Sequence, residues 1–370
     1  MSLKGTVKFI SKEKTNFFEV LRSRVDAYFE ENNISKHANS TMVIKTIVLL
    51  SGYLIPFALM LIFHPSFWEC MGLWAIMGIS IAGIGMSIMH DANHGAYSES
   101  NTVNYWLGHT LNLIGGSVSN WKFQHNILHH TYTNISGMDD DIQDRLVLKF
   151  SPHTAVKPFH KFQKYYAFFF YGIITLYWVL AKDFVQLSMF TKTGVNKGTP
   201  QENKVMLMRI ILDKTLYLFV IIGVPVLFFN FALGDVILGF LAMHFLAGLI
   251  LTIVFQLAHT VEGTSHPLPN EEGTIENNWA IHQLNTTVNF SPKNPIIGWY
   301  VGGLNYQVEH HLFPKICHVH YPQIAHIVEA TAKEYGIPYM CNDSFGKALK
   351  SHIKLLEKFG TLPSLNEAIG

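Results

Sequence analysis

Charge is what this sequence has least of. Asp, Glu, Lys and Arg make up 14% of the 370 residues, against roughly 25% in an ordinary soluble domain. A disordered chain is excluded as well, because disorder goes with high charge and few aromatic residues, and aromatics here reach 13%. A net charge of +1 excludes a strongly basic nucleic-acid binder. Only three cysteines are present, Cys70, Cys317 and Cys341, and none forms a CxxC pair. That excludes a disulfide framework and leads us to expect a reducing compartment around the polar parts. No internal repeat is visible, which excludes coiled-coil and collagen-like arrays. The first 40 residues hold no apolar core of the kind a secretory signal needs, so none is expected. Histidine, in contrast, occurs 20 times, against 27 for Lys and Arg together.

The apolar residues are gathered into long runs. A helix needs about 20 mostly apolar residues to cross a hydrocarbon layer of ~30 Å. Four segments qualify: Met42–Phe63, Cys70–Met89, Met208–Phe229 and Asp235–Ala258. The links His64–Glu69 and Asn230–Gly234 carry no Lys or Arg. All basic residues except Lys45, Arg209 and Lys214 lie outside these four segments and their short links. By the positive-inside rule, the two termini and the middle region share the cytoplasmic side. That parity requires the shorter runs Tyr105–Ser117 and Tyr165–Leu180 to be interfacial or re-entrant helices. We therefore expect an all-α membrane protein. Four transmembrane helices form two hairpins, with interfacial helices and a cytosolic helical cap that carries a histidine-rich di-metal site. Val20–Glu31 reads as a short amphipathic surface helix and Tyr321–Gly360 as part of the cap. Expected domain limits are 1–41, 42–339 and 340–370.

Histidines cluster in the regions expected on the cytoplasmic side. His90-Asp-Ala-Asn-His94 follows the second span. Two more clusters are His125-Asn-Ile-Leu-His129-His130 and Gln307-Val-Glu-His310-His311, and His259 closes the last span. Residues four apart share a helix face, so His90 with His94, and His125 with His129, can approach one ion together. His130 is turned ~100° from His129 on an α-helix and could reach a neighbouring ion. Eight imidazoles suit two metal ions with open positions better than one, and imidazole accepts Zn, Cu, Fe or Ni. Asp91, Asp139, Asp140, Asp141, Glu262 and Glu309 are candidates to accept the other ring N–H of a ligating histidine, and Gln307 is a candidate ligand or hydrogen-bond partner. The remaining histidines read as ordinary polar residues, with His244 expected to be a buried, hydrogen-bonded helix contact.

HDANH, HNILHHTYTN followed by DDD, and GGLNYQVEHHLFP resemble the three histidine boxes of the membrane fatty acid desaturase family. The resemblance runs from about His90 to Tyr339, and the spans extend it to about Met42. Gln307, where other subgroups have a histidine, is similar to the front-end group, which includes linoleoyl-CoA desaturase-like enzymes. The resemblance implies a non-haem di-iron centre, O2 as co-substrate and an acyl chain on CoA, a carrier protein or a lipid. It implies His90, His94, His125, His129, His130, His310 and His311 as ligands, with His259 as the extra one. The 41 residues before the first span are too short for a fused cytochrome b5 domain, and no HPGG motif occurs. A separate donor such as ferredoxin or cytochrome b5 is therefore expected. Lys122, Lys157, Lys161 and Lys164 are placed either to dock it or to meet lipid headgroups.

Three other readings stand beside this one, the first a non-catalytic membrane protein, a receptor, scaffold or metal-binding chain without desaturation. A hydroxylase on the same scaffold, acting on a fatty acyl chain or a sphingolipid, would put oxygen onto the carbon. A transporter would need ionisable residues at mid-depth in the spans, and only His244 sits there.

Overall fold

A helix satisfies all its backbone N–H and C=O groups internally, so uncharged runs bound for hydrocarbon fold as helices. The computed structural model describes residues 7–11, 15–142 and 147–362. In it, α1 is Phe17–Glu31, α2 Ser40–Phe63, α3 Phe67–His94 and α4 Asn101–Gly108. The next helix, α5, runs over 118–132. Then come α6 (His160–Gly172) and α7 (Ile174–Lys192), bent by 50° at their junction. Pro200–Phe229 is α8 and Leu233–His259 is α9. Five shorter helices complete the set: α10 (Trp279–Thr286), α11 (Pro295–Tyr300), α12 (Gln307–Leu312), α13 (Tyr321–Glu334) and α14 (Phe345–Thr361).

Among the described residues four helices, α2, α3, α8 and α9, are long and apolar enough to cross a membrane, or five if the bent pair is one span. Each is longer than its apolar run, and polar caps start three of them. Asn39 accepts the N–H of Met42 at the start of α2. Ser66 with Glu69, and Thr199 with Glu202, form capping boxes for α3 and α8. At its far end α3 continues past Met89 to His94 and stops at Gly95, whose φ of +75° is left-handed. Two stretches that carry or adjoin the clustered histidines are π-helical. Ile84–Ile88 precedes His90 within α3, and Lys122–His129 forms the middle of α5. Such stretches are often found at functional sites.

The chain divides into two compact units. The first comprises residues up to Ala38, Phe123–Ala167 and Val254 onward. Its core forms where Phe17, Leu21, Val25 and Phe29, one stripe of α1, meet Val308, Leu312, Ile324 and Val328. Two short parallel pairs pin loops: β1 (Lys8–Phe9) to β2 (Thr274–Ile275), and β3 (Asn289–Phe290) to β4 (Cys341–Asn342). The second unit comprises Asn39–Lys122 and Phe168–Ile253. Leu49, Met77, Ile81, Tyr217, Phe240 and Met243 fill its core. Helices α3 and α9 come very close there, since a Cβ on Gly78 would lie 2.5 Å from the Met243 carbonyl oxygen.

Two buried polar side chains inside the second unit are paired across helices. Lys214 Nζ is 2.7 Å from Asp183 Oδ2 and donates to the carbonyls of Trp178 and Gly115. His244 Nε2 lies 2.6 Å from the Tyr217 hydroxyl, the buried helix contact expected for it.

Candidate metal centre

Six of the expected histidines come together in the first unit. His125, His129 and His130 come from α5, His259 from the last residue of α9, and His310 and His311 from α12. All six are buried. His129, His259 and His311 each offer a ring nitrogen within 4.8 Å of the others, and so do His130, His310 and His311. The π-helical turn explains how α5 contributes three. Its i→i+5 pattern sets residues five apart over one another, and the Nε2 atoms of His125 and His130 lie 3.3 Å apart. On a regular α-helix His130 would be turned aside. Here its ring stacks on His311 at 4.5 Å and meets His310 edge-on at 4.6 Å.

Five of the Nδ1 atoms face protein partners. His125 Nδ1 is 2.8 Å from Asp141 Oδ2, and His129 Nδ1 is 3.0 Å from Asp139 Oδ2. His311 Nδ1 is 2.8 Å from Gln283 Oε1, His310 Nδ1 3.3 Å from the Tyr321 hydroxyl, and His259 Nδ1 3.3 Å from the Thr286 carbonyl oxygen. A partner on Nδ1 fixes the ring and its tautomer and leaves Nε2 as the ligand atom. His259 Nε2 is buried and has no hydrogen-bond partner. A buried nitrogen of that kind costs free energy unless something binds it. Neutral imidazoles held this way fit a first-row metal with nitrogen preference.

The carboxylates divide into three groups. Asp139 is buried and accepts the His129 ring N–H together with the backbone N–H groups of Asn134, Asp141 and Ile142. Burial, then the neighbouring Asp141, push its carboxyl well above the usual range, and the three backbone donors oppose them. Asp141 also accepts from Gln124, and Asp140 is buried, with its carbonyl 3.4 Å from Gln124 Nε2. Glu309 points elsewhere. It accepts from Asn289 and Tyr339, and burial raises it to about 7. Glu262 is exposed and pairs with Lys354 at 3.2 Å, a surface ion pair and not a buried partner of a histidine. Gln307 opens α12 and is buried, with its Oε1 unpartnered.

One supporting element was not visible in the sequence. Helix α10 grips the end of α5 through three side chains. Trp279 Nε1 and Gln283 Nε2 donate to the His130 carbonyl, and His282 Nε2 donates to that of Thr133. Gln283 Oε1 also accepts from Thr133 Oγ1. Burial lowers the His282 imidazole to about 4, so the ring stays neutral. No spacing rule marks Gln283, because its partners are 28 and 150 residues away.

His90 and His94 belong to the second unit. Their rings lie 4.8 Å apart at the end of α3, and Trp121 packs against both, at 5.8 and 5.7 Å. Asp91 Oδ1 is 3.7 Å from His90 Nδ1, beyond hydrogen-bond range.

Comparison with known proteins agrees with this chemistry. The fatty acid desaturase family model matches residues 66–342. The sn-1 linoleoyl-lipid 6-desaturase of Arthrospira platensis is 36% identical over 97% of this chain and 96% of its own length. The protein of the same name from Synechocystis sp. is 35% identical over 94% and 96%. An acyl-lipid (8-3)-desaturase of Physcomitrium patens is 34% identical over 96% of this chain and 74% of its own. The chain is a membrane protein and an oxidoreductase, and it belongs to the fatty acid desaturase family.

Proposed function

We propose that this desaturase acts on an acyl chain esterified in a membrane lipid. The new double bond falls between an existing one and the carboxyl end, as in a linoleoyl-lipid 6-desaturase. The names of the two cyanobacterial relatives, each matched over nearly its full length, support this choice of substrate and position.

The observation that carries the reading is the buried set of six imidazoles, five of them with protein partners on Nδ1. An unactivated methylene offers no acidic proton, so no side-chain base removes its hydrogens. Two iron ions held here would supply the oxidising power. With O2, two electrons and two protons, the acyl chain loses two hydrogens and two waters form. The protein's own work is to hold and to exclude. Asp139, Asp141 and Gln283 orient His129, His125 and His311. His90 and His94 are proposed as further ligands from their spacing on α3, with Gln307 as an oxygen donor. The histidines and both termini are assigned to the cytoplasmic side, from the basic residues outside the spans. Electrons come from a separate carrier of the ferredoxin or cytochrome b5 kind.

Expression in a host fed linoleate, with mass-spectrometric mapping of its lipids, tests the reading. The expected product has lost two hydrogens on the carboxyl side of the existing double bonds. A product that has gained oxygen would point to a hydroxylase, and a new double bond on the methyl side would refute the position.

A further inference from the structure

Helix α14, in the first unit, has two contrasting faces. Ala348, His352, Leu355, Leu356 and Phe359 are buried. Lys347, Lys350, Lys354 and Lys358 are exposed. They stand three or four residues apart, so they form one stripe about 16 Å long. Lys347 and Lys354 pair with Asp343 and Glu262 at the edges of the stripe. The single acidic residue of the helix, Glu357, is held by Lys164. Lys350 and Lys358 have no carboxylate partner among the described residues.

This stripe faces water. The apolar side of α14 packs into the unit, and none of its large apolar residues is exposed. A helix that lies on a membrane keeps an apolar face for the lipid. The start of α6 is built differently. Phe159, Phe162 and Tyr165 are exposed there, and Lys157, Lys161 and Lys164 each lie over one of those rings. Aromatic residues interleaved with lysine suit a membrane–water boundary. The two helices touch. Gln163 Nε2 donates to the Leu356 carbonyl at 2.7 Å, and a Cβ on Gly360 would strike the His160 carbonyl. The lysines of α6 therefore mark the lipid boundary, and those of α14 the water beside it.

The buried side of α14 holds the chain next to a candidate ligand. His352 Nδ1 donates to the Thr260 carbonyl at 2.7 Å, and Ser351 Oγ accepts the N–H of Glu262 at 2.8 Å. Thr260 directly follows His259, whose Nε2 is a candidate ligand atom. A helix is about 10–12 Å across, so little more than α14 separates the lysines from that residue. Electron transfer falls off steeply with distance, and an electron donor has to dock at such a place. Resting on the reading that a separate carrier supplies the electrons, we propose that the lysine stripe of α14 is its docking surface. The partner it fits is a soluble one-electron protein with an acidic face. Each new double bond takes two electrons, so two reduced carriers dock in turn and each leaves oxidised by one electron. The attraction is between exposed charges, so it speeds encounter and is screened by salt.

The test uses the full-length protein in nanodiscs of neutral lipid, with a plant-type [2Fe–2S] ferredoxin and cytochrome b5 as probes. Biolayer interferometry measures carrier binding without turnover. We expect one of the two carriers to bind, and to bind more weakly as salt rises. Lys350→Glu with Lys358→Glu should raise its Kd, and its KM in turnover, about tenfold, with a smaller change in kcat. Both positions are exposed, so the double variant should fold. Its product yield in a single turnover after reduction by dithionite should match the native yield. Lys333→Glu, the same charge change on α13, should leave Kd and KM unchanged. No binding of either carrier to the native protein, binding that ignores salt, or native Kd and KM in the double variant would overturn the assignment. So would a double variant that keeps its carrier but loses phosphatidylglycerol in native mass spectrometry, the result for a lipid-facing surface. Carrier binding lost in the double variant, with no desaturation by the native protein from either donor, would support the surface and count against the reaction.

Discussion

Replacing Asp139 by asparagine isolates what one carboxylate does for the cluster. The side chain is nearly isosteric, so packing is kept. One carboxylate oxygen accepts from His129 Nδ1, Asp141 N and Ile142 N, and the other from His129 Nδ1 and Asn134 N. Whichever oxygen becomes NH2 then faces a backbone N–H it cannot accept. A buried donor left unsatisfied costs about 1–3 kcal/mol. Loss of the carboxylate behind a ligating imidazole typically lowers metal affinity by about 10–100-fold, which is about 1.4–2.8 kcal/mol. The assay is a chelator competition for iron on purified native and Asp139→Asn protein, with turnover measured at saturating iron and helix content by circular dichroism. We expect intact helix content, iron lost at a chelator concentration about 10–100-fold lower, and reduced turnover. Asp141→Asn, at a partly exposed carboxylate, should do the same to a smaller degree. Native iron affinity and turnover in Asp139→Asn would refute the idea that this carboxylate holds a ligand in place.

Gln283→Leu removes the acceptor for His311 Nδ1 and for Thr133 Oγ1. It should weaken iron binding about tenfold or more, and equal iron affinity in native and variant would count against the role given to α10. Burial pushes the His352 imidazole down to about 4, with its Nδ1–H donating to the Thr260 carbonyl at 2.7 Å. The folded state then binds fewer protons than the unfolded one between pH 6.5 and about 4. Stability is fully present above pH 6.5 and is lost as pH falls through that window, by about 3 kcal/mol. Thermal unfolding of His352→Asn across the same range should show a flatter pH dependence, and an unchanged slope would contradict this. Lys214→Met leaves Asp183 buried without its cation, at a cost of about 3–5 kcal/mol. Thermal unfolding in detergent should detect that loss and its partial recovery in Lys214→Met/Asp183→Asn. A single variant as stable as native would show that the pair contributes little.

The parts of this molecule governed by local chain chemistry were legible in the sequence. Four mostly apolar runs became the four membrane-capable helices, and the spacing of His125, His129, His310 and His311 identified residues that do gather. His129 with Asp139 was readable because they are ten residues apart and joined by a short loop. Two features were hidden for a physical reason. The π-helical geometry of Lys122–His129 depends on how α5 is held, so an α-helical reading sent His130 towards a neighbouring ion and did not foresee it lying over His125. Gln283 and Tyr321 became partners of His311 and His310 only through tertiary packing. Glu262 shows the converse error, since a carboxylate close in sequence to His259 pairs with Lys354 at the surface.

Metal content is the most direct test of the central claim. Native protein, His129→Ala and His311→Ala should be purified and reconstituted identically, then assayed for iron per chain and for desaturation. We predict two irons per native chain, and variants that remain folded but lose iron and all activity. A native enzyme that turns over with far less than two irons, or either variant keeping both iron and desaturation, would contradict it.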